Sequence, residues 1–244
     1  MTVERWTTRS GPRVRYLDNA PAQPEGLPIL FSPGFTDFAD EYEALLVDVA
    51  PRRLLVVEVR GRGRSEAPAG GYAATDHAAD LRAVLDEEGI ERCHLMTFSR
   101  GTTWGLQLAM ESPERIVSLA IGDYLPQEVA LPSAFAETQM QSRFRGKPMA
   151  ERISRHVVEQ VVADSVGRPL DDVLVALPVP LLVAQPLGDG QRVLHDDGVE
   201  RYRRARPDVA VVPIPDADHD LFRPDRLRYG RAVVDHIRRR CPGT

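Results

Sequence analysis

Short apolar runs alternate with amphipathic stretches along most of this chain. Residues 27–31, 54–59, 93–98, 116–121, 181–184 and 209–214 are nearly continuous in apolar side chains. Runs of that length read as strands covered on both faces. Between them, apolar residues recur at helical spacing over roughly 38–49, 77–88, 100–111, 193–206 and 224–239, which predicts helices packed by one face. At the start, residues 3–8 and 13–17 alternate polar and apolar positions around Gly11-Pro12, the pattern of an antiparallel hairpin at a sheet edge. Strands alternating with helices predict an α/β protein with a mostly parallel sheet and helices on both faces.

The alternation breaks between Asp123 and Pro178, a stretch too long for an ordinary connection. It carries one helical pattern, at Ile153, Val157, Val158, Val161 and Val162. The expected organisation is a core of residues 1–122 and 179–244, with 123–178 inserted as a small helical cap.

In parallel sheets, ligands sit beyond the carboxyl ends of the strands. Four loops should converge there: S-P-G-F-T-D (32–37), T-F-S-R-G (97–101), G-D-G (188–190) and D-A-D-H-D (216–220). Ser99 stands where a strand turns sharply into a helix, which would push its hydroxyl out of the sheet beside free backbone N–H groups. That placement suits a nucleophile. The pattern G-x-S-x-G is met except at Thr97, where a small residue is expected.

A serine hydroxyl needs a base within hydrogen-bond reach. Of six histidines, His77, His156, His195 and His236 fall in or at predicted helices, and His94 lies inside the strand leading to Ser99. His219 alone sits in a loop after the last strand, among Asp216, Asp218 and Asp220. The base in turn needs an anion. Asp189 follows a strand and precedes His219, and is preferred; Asp123, after the strand that follows Ser99, is its rival. The oxyanion of an acyl transfer needs prearranged donors. The backbone N–H groups of Arg100 and Phe35 are the expected pair.

These residues together resemble the α/β-hydrolase fold superfamily over nearly the whole chain. S-P-G-F-T-D is similar to its H-G-F loop, E-V-R-G-R-G-R-S (58–65) to its D-x-R-G-x-G-x-S turn, T-F-S-R-G to its nucleophile elbow, and the G-D and D-H-D segments to its acid and histidine loops. Pro33, Glu58 and Thr97 stand where the family often has His, Asp and Gly. The resemblance implies a cofactor-free, metal-free serine hydrolase with Ser99, His219 and Asp189 as its triad. Its substrate would be a small or medium ester, thioester or lactone. The same triad also serves C–C hydrolases, acyltransferases and cofactor-independent lyases, and some members only bind ligands. Cap residues Tyr124, Phe135, Met140, Phe144 and Met149 are candidates to line the pocket or to pack the cap onto the core, whereas Trp104 is expected in the core.

Composition narrows the partners. The net charge is -5, so the basic footprint of a nucleic-acid binder is missing. R-G-R-G-R-S lacks both G-K-[ST] and G-x-G-x-x-G, which argues against a phosphate loop. Lys147 is the only lysine, and the scattered arginines fit a bacterial coding bias. Cys93 and Cys241 have no metal spacing and no support for a disulfide. The start of the chain has no apolar signal core, and the run 173–184 is short and broken by Pro178 and Pro180. A cytoplasmic protein acting on a small-molecule acyl substrate, with no membrane or nucleic-acid partner, is the expectation. Nothing in the sequence sets the oligomeric state.

Overall fold

The computed structural model of the chain describes residues 2–8 and 11–244. Strands β1 (Val3–Trp6) and β2 (Arg15–Asp18) form the expected edge hairpin, with Val3 opposite Asp18. Strand β3 (Ile29–Ser32) leads into a 3₁₀ turn and the short helix α1 (Glu43–Asp48). Then come β4 (Leu54–Glu58), α2 (Ala74–Glu87), β5 (Cys93–Phe98), α3 (Gly101–Glu111) and β6 (Ile116–Gly122).

The inserted stretch holds two small antiparallel ribbons. One pairs β7 (Gln127–Glu128) with β10 (Arg168–Pro169), the other β8 (Arg143–Phe144) with β9 (Lys147–Pro148). Helices α4 (Phe135–Gln141), α5 (Arg155–Asp164) and α6 (Asp171–Ala176) fill the rest. The chain then returns to the sheet with β11 (Leu181–Pro186), α7 (Asp196–Ala205), β12 (Ala210–Ile214) and α8 (Arg228–Arg240).

The main sheet has the order β1-β2-β4-β3-β5-β6-β11-β12. It is antiparallel at β1/β2 and β2/β4, and parallel from β4 to β12. The continuous apolar runs have a direct cause. Leu30, Leu55 and Leu95 enter the core on one face, and their neighbours Phe31, Val56 and Met96 enter the core on the other. Successive side chains on a strand point to opposite faces, so a strand buried on both must be apolar throughout.

The insertion builds a third, smaller core from Tyr72, Ala136, Met149, Ile153, Val157, Val158 and Val161. Ser154 caps α5 by accepting the Val157 N–H at 3.3 Å, so the helix starts after Ile153. Leu170, Leu174 and Leu177 around α6 instead belong to one of the two main cores. The last turns of the insertion are therefore packed as part of the sheet's own covering layer.

Candidate active site

Ser99 sits at the tip of β5 with φ of 51°, the left-handed region that non-glycine residues rarely adopt. Two backbone bonds hold it there. Its N–H donates to Gly122 O at 2.9 Å, and its carbonyl accepts Thr102 N–H at 2.9 Å as α3 begins. Backbone held in such a region is strained, and marks the place where a scaffold over-determines a side chain. The turn is tight enough that a Cβ on Gly101 would stand 2.2 Å from Pro33 O and 2.3 Å from Ser32 O. The Gly101 carbonyl also accepts a bond from Ser32 Oγ at 3.0 Å.

Thr97, the departure from the elbow pattern, is fully buried. Its Oγ1 donates to Ala120 O at 3.1 Å and lies 3.0 Å from Thr102 Oγ1. Its methyl occupies the space that a side chain at Gly105 would need. Gly105 on the facing helix is the small residue at this seam.

The hydroxyl of Ser99 lies 2.9 Å from His219 Nε2, and His219 Nδ1 lies 2.6 Å from Asp123 Oδ2. A carboxylate can only accept, so Nδ1 carries the proton and the Nε2 lone pair faces the Ser99 hydroxyl. Asp123 is fully buried, with φ of 40°, at the carboxyl end of β6. Its side chain also accepts the N–H groups of Val193, at 3.1 Å, and Leu194, at 2.7 Å. α7 begins two residues further on, at Asp196.

The structure brings Asp123, not Asp189, to His219. Asp189, preferred from the sequence, is exposed and does not reach His219. Its turn is shaped by Asp218 instead, whose Oδ1 accepts Gly190 N–H at 2.7 Å. Cβ atoms on Gly188 and Gly190 would fall 2.5 Å and 2.3 Å from the Asp218 carboxylate. G-D-G is there as a turn. Asp123 is the carboxylate in reach because it is fully buried at the end of β6 with Oδ2 2.6 Å from His219 Nδ1, whereas the Asp189 side chain is turned to solvent.

The loop after β3 lies against the elbow: a Cβ on Gly34 would be 3.2 Å from the Phe98 ring. Asp37 folds back on this loop and accepts Gly34 N–H and Tyr42 OH, both at 2.7 Å. It braces the loop and caps no helix. The backbone N–H groups of Phe35 and Arg100 bond to no other protein group among the described residues.

A family model described as "alpha/beta hydrolase fold" matches residues 28–174. The chain belongs to the alpha/beta hydrolase fold family. It is 35% identical over 111 residues to a provisionally assigned carbamate hydrolase of Variovorax paradoxus, covering 44% of this chain and 41% of that protein. It thus covers about two fifths of the length of such carbamate-hydrolase relatives. A longer match joins it to the 2-(acetamidomethylene)succinate hydrolase of Mesorhizobium japonicum, 24% identical over 232 residues, 78% of this chain and 81% of that one. Among solved structures, the enol-lactonase of Burkholderia xenovorans superposes with a TM-score of 0.79 at 18% identity, over 96% of this chain and 99% of that one.

In this alpha/beta hydrolase the arginine-rich turn after β4 is locked by acids. Arg15 Nη1 meets Glu58 Oε2 at 2.7 Å, and Arg60 Nη2 meets Asp80 Oδ1 at 2.7 Å. A Cβ on Gly63 would collide with Glu58. The turn joins sheet to helix. Of the pocket candidates, Tyr124 packs in a main core and Met149 in the insertion's core. Phe135, Met140 and Phe144 are half-buried against the insertion's core, and Phe135 meets Phe35 edge-on at 5.9 Å. Trp104 is core, as expected, and stacks on His77 at 4.3 Å. Cys93 and Cys241 are free thiols. Among the described residues there is no metal-ligating cluster and no helix long and apolar enough to cross a membrane. A surface depression of about 540 Å³, bounded by Thr7, Ala83, Gly89 and Arg115, lies at the amino ends of the strands, away from Ser99.

Proposed function

We propose that this protein is a serine hydrolase cleaving a small or medium carboxylic ester, thioester or lactone through an acyl-enzyme on Ser99. The observation that carries this is the unbroken line from Ser99 Oγ through His219 to the buried carboxylate of Asp123, at 2.9 Å and 2.6 Å. His219 Nε2 takes the hydroxyl proton as Oγ attacks the acyl carbon, and Asp123 holds the imidazolium that forms. The N–H groups of Phe35 and Arg100 receive the oxyanion, each such donor contributing on the order of 3 kcal/mol. His219 then passes its proton to the leaving group, and water repeats the sequence in reverse to free the acid. The half-buried face of the insertion around Phe135, Met140 and Phe144 roofs the site and limits water.

The names of the relatives agree in kind: a carbamate, an acetamido compound and an enol-lactone all present an acyl carbon to a nucleophile. The test is a panel of p-nitrophenyl esters of varied chain length, followed by rapid mixing. A burst of nitrophenol of about one equivalent per chain is expected with at least one ester. No burst and no turnover across the panel would refute the proposal.

A further inference from the structure

Two arginines beside the elbow carry hydrogen-bond donors that no protein group takes up. Arg62 is 1% exposed. Its Nε donates to Phe35 O at 2.9 Å and its Nη1 to Arg60 O at 2.7 Å, with His77 Nε2 at 2.9 Å. Its Nη2 is buried without a partner. The guanidinium lies over the rings of Phe35 and Trp104, at 5.1 Å and 5.0 Å. Arg100, the residue after the nucleophile, is 7% exposed. Its Nε has no partner, and its two terminal nitrogens reach only Val129 O, each at 3.4 Å.

Neither of these arginines forms an ion pair with a carboxylate among the described residues. Other buried arginines do: Arg15 with Glu58 at 2.7 Å, Arg60 with Asp80 at 2.7 Å, Arg145 with Asp220 at 2.8 Å. Arg152 also has unpartnered nitrogens, but Glu41 meets its charge at 2.6 Å. Arg52, with one more, binds the Leu27 and Thr244 carbonyls at the amino end of β3.

His77 gives Arg62 no counter-charge. Its Nδ1 faces the Ala73 carbonyl at 2.9 Å and so carries the proton, leaving Nε2 as a neutral acceptor. Burial, with Arg62 next in importance, holds His77 well below the ordinary histidine range. Burial likewise pushes the Arg62 guanidinium down to about 9. Two buried cations of like sign with no anion between them are costly, and an incoming anion offsets that cost.

We propose that Arg62 and Arg100 bind a carboxylate carried by the substrate, so that the enzyme acts on a half-ester, lactone or related acyl derivative of a dicarboxylic acid. The proposal rests on the serine-hydrolase function of the same site. Each guanidinium has one nitrogen without a protein partner, Arg62 Nη2 and Arg100 Nε, and such a nitrogen donates a charge-assisted bond to a carboxylate oxygen. The location fits. Arg100 adjoins Ser99, and Arg62 grips the carbonyl of Phe35, whose own N–H is assigned to the oxyanion. The carboxylate would dock beside the reacting acyl group and fix its approach.

The experiment compares monomethyl glutarate with methyl pentanoate, which lacks the distal carboxylate. The wild-type enzyme is expected to favour the charged ester in kcat/KM by about tenfold or more. Arg62→Met and Arg100→Met are expected to erase that preference, chiefly through KM. Thermal melts verify that each variant folds. Calorimetric binding of monomethyl glutarate to Ser99→Ala reads the subsite without turnover, and Arg62→Met on that background should abolish it. Binding that depends on Arg62 without any hydrolysis by the wild type would overturn the hydrolase function but uphold the subsite. Equal rates on the two esters, a preference that survives both substitutions, or no binding to Ser99→Ala would overturn the subsite.

Discussion

Thr97 and Gly105 share one side-chain space: a Cβ on Gly105 would stand 2.6 Å from Thr97 Cγ2, across the seam between β5 and α3. The elbow pattern asks for a glycine at 97, and this chain supplies the missing volume from the helix side. Gly105→Ala should therefore destabilise the protein by about 1–3 kcal/mol, although alanine is the better helix former. In a Thr97→Gly background the same change should be neutral or stabilising. A double-mutant cycle by chemical denaturation checks this, with a coupling of at least about 1 kcal/mol expected.

Asp123 and Asp189 are separated by a simple kinetic comparison. Asp123→Asn should lower kcat by about a thousandfold or more, because the amide cannot hold the imidazole in the required tautomer or balance its charge. Asp189→Asn, at an exposed turn, should leave kcat within about threefold. Steady-state rates on one p-nitrophenyl ester suffice. The reverse ranking would return the acid to Asp189.

Much of this fold is legible in the sequence, and what is not legible has physical causes. The paired-face apolar runs placed the sheet, and the loops carrying Ser99 and His219 followed from where those runs stop. Asp123 and Asp189 each follow a strand and each precede His219, so chain order cannot rank them. The contact with His219 ranks them, and it joins residues 96 positions apart. α7 starts at Asp196, a few residues after the apolar spacing suggests. The role of Gly105 was hidden because the contact that explains it crosses between two elements.

Arg145 ties the insertion to the loops that carry Glu41 and His219. Its side chain, 6% exposed, pairs with Asp220 at 2.8 Å and Glu41 at 3.0 Å, and Asp220 is the neighbour of His219. Arg145→Met would leave Asp220 without its close cation and Glu41 and buried Asp37 with Arg152 alone. A loss of about 3 kcal/mol in unfolding free energy is expected, as for breaking other buried pairs. Urea titration measures it, and a loss under about 0.5 kcal/mol would contradict the bracing role.

Acid should unfold this protein earlier than its carboxylates alone would dictate. Burial pushes His94 and His236 down to about 4, and His77 well below its usual range. Each is depressed in the folded state relative to the ordinary 6.5, so the unfolded chain binds the extra protons. The stability these groups contribute is complete above about pH 6.5 and is lost as pH falls toward 4. Melting temperatures from pH 7.5 to 4.5 should drop across that window. His94→Asn should flatten the drop, and an unchanged slope would contradict the assignment.

The central claim is that Ser99 is an acyl-accepting nucleophile activated through His219 by Asp123. Labelling with a fluorophosphonate, read by intact-protein mass and peptide mapping, tests it most directly. The expected result is one adduct per chain on Ser99, absent in Ser99→Ala and slowed by at least about a hundredfold in Asp123→Asn. An unlabelled wild type, or an adduct that persists in Ser99→Ala, would contradict it.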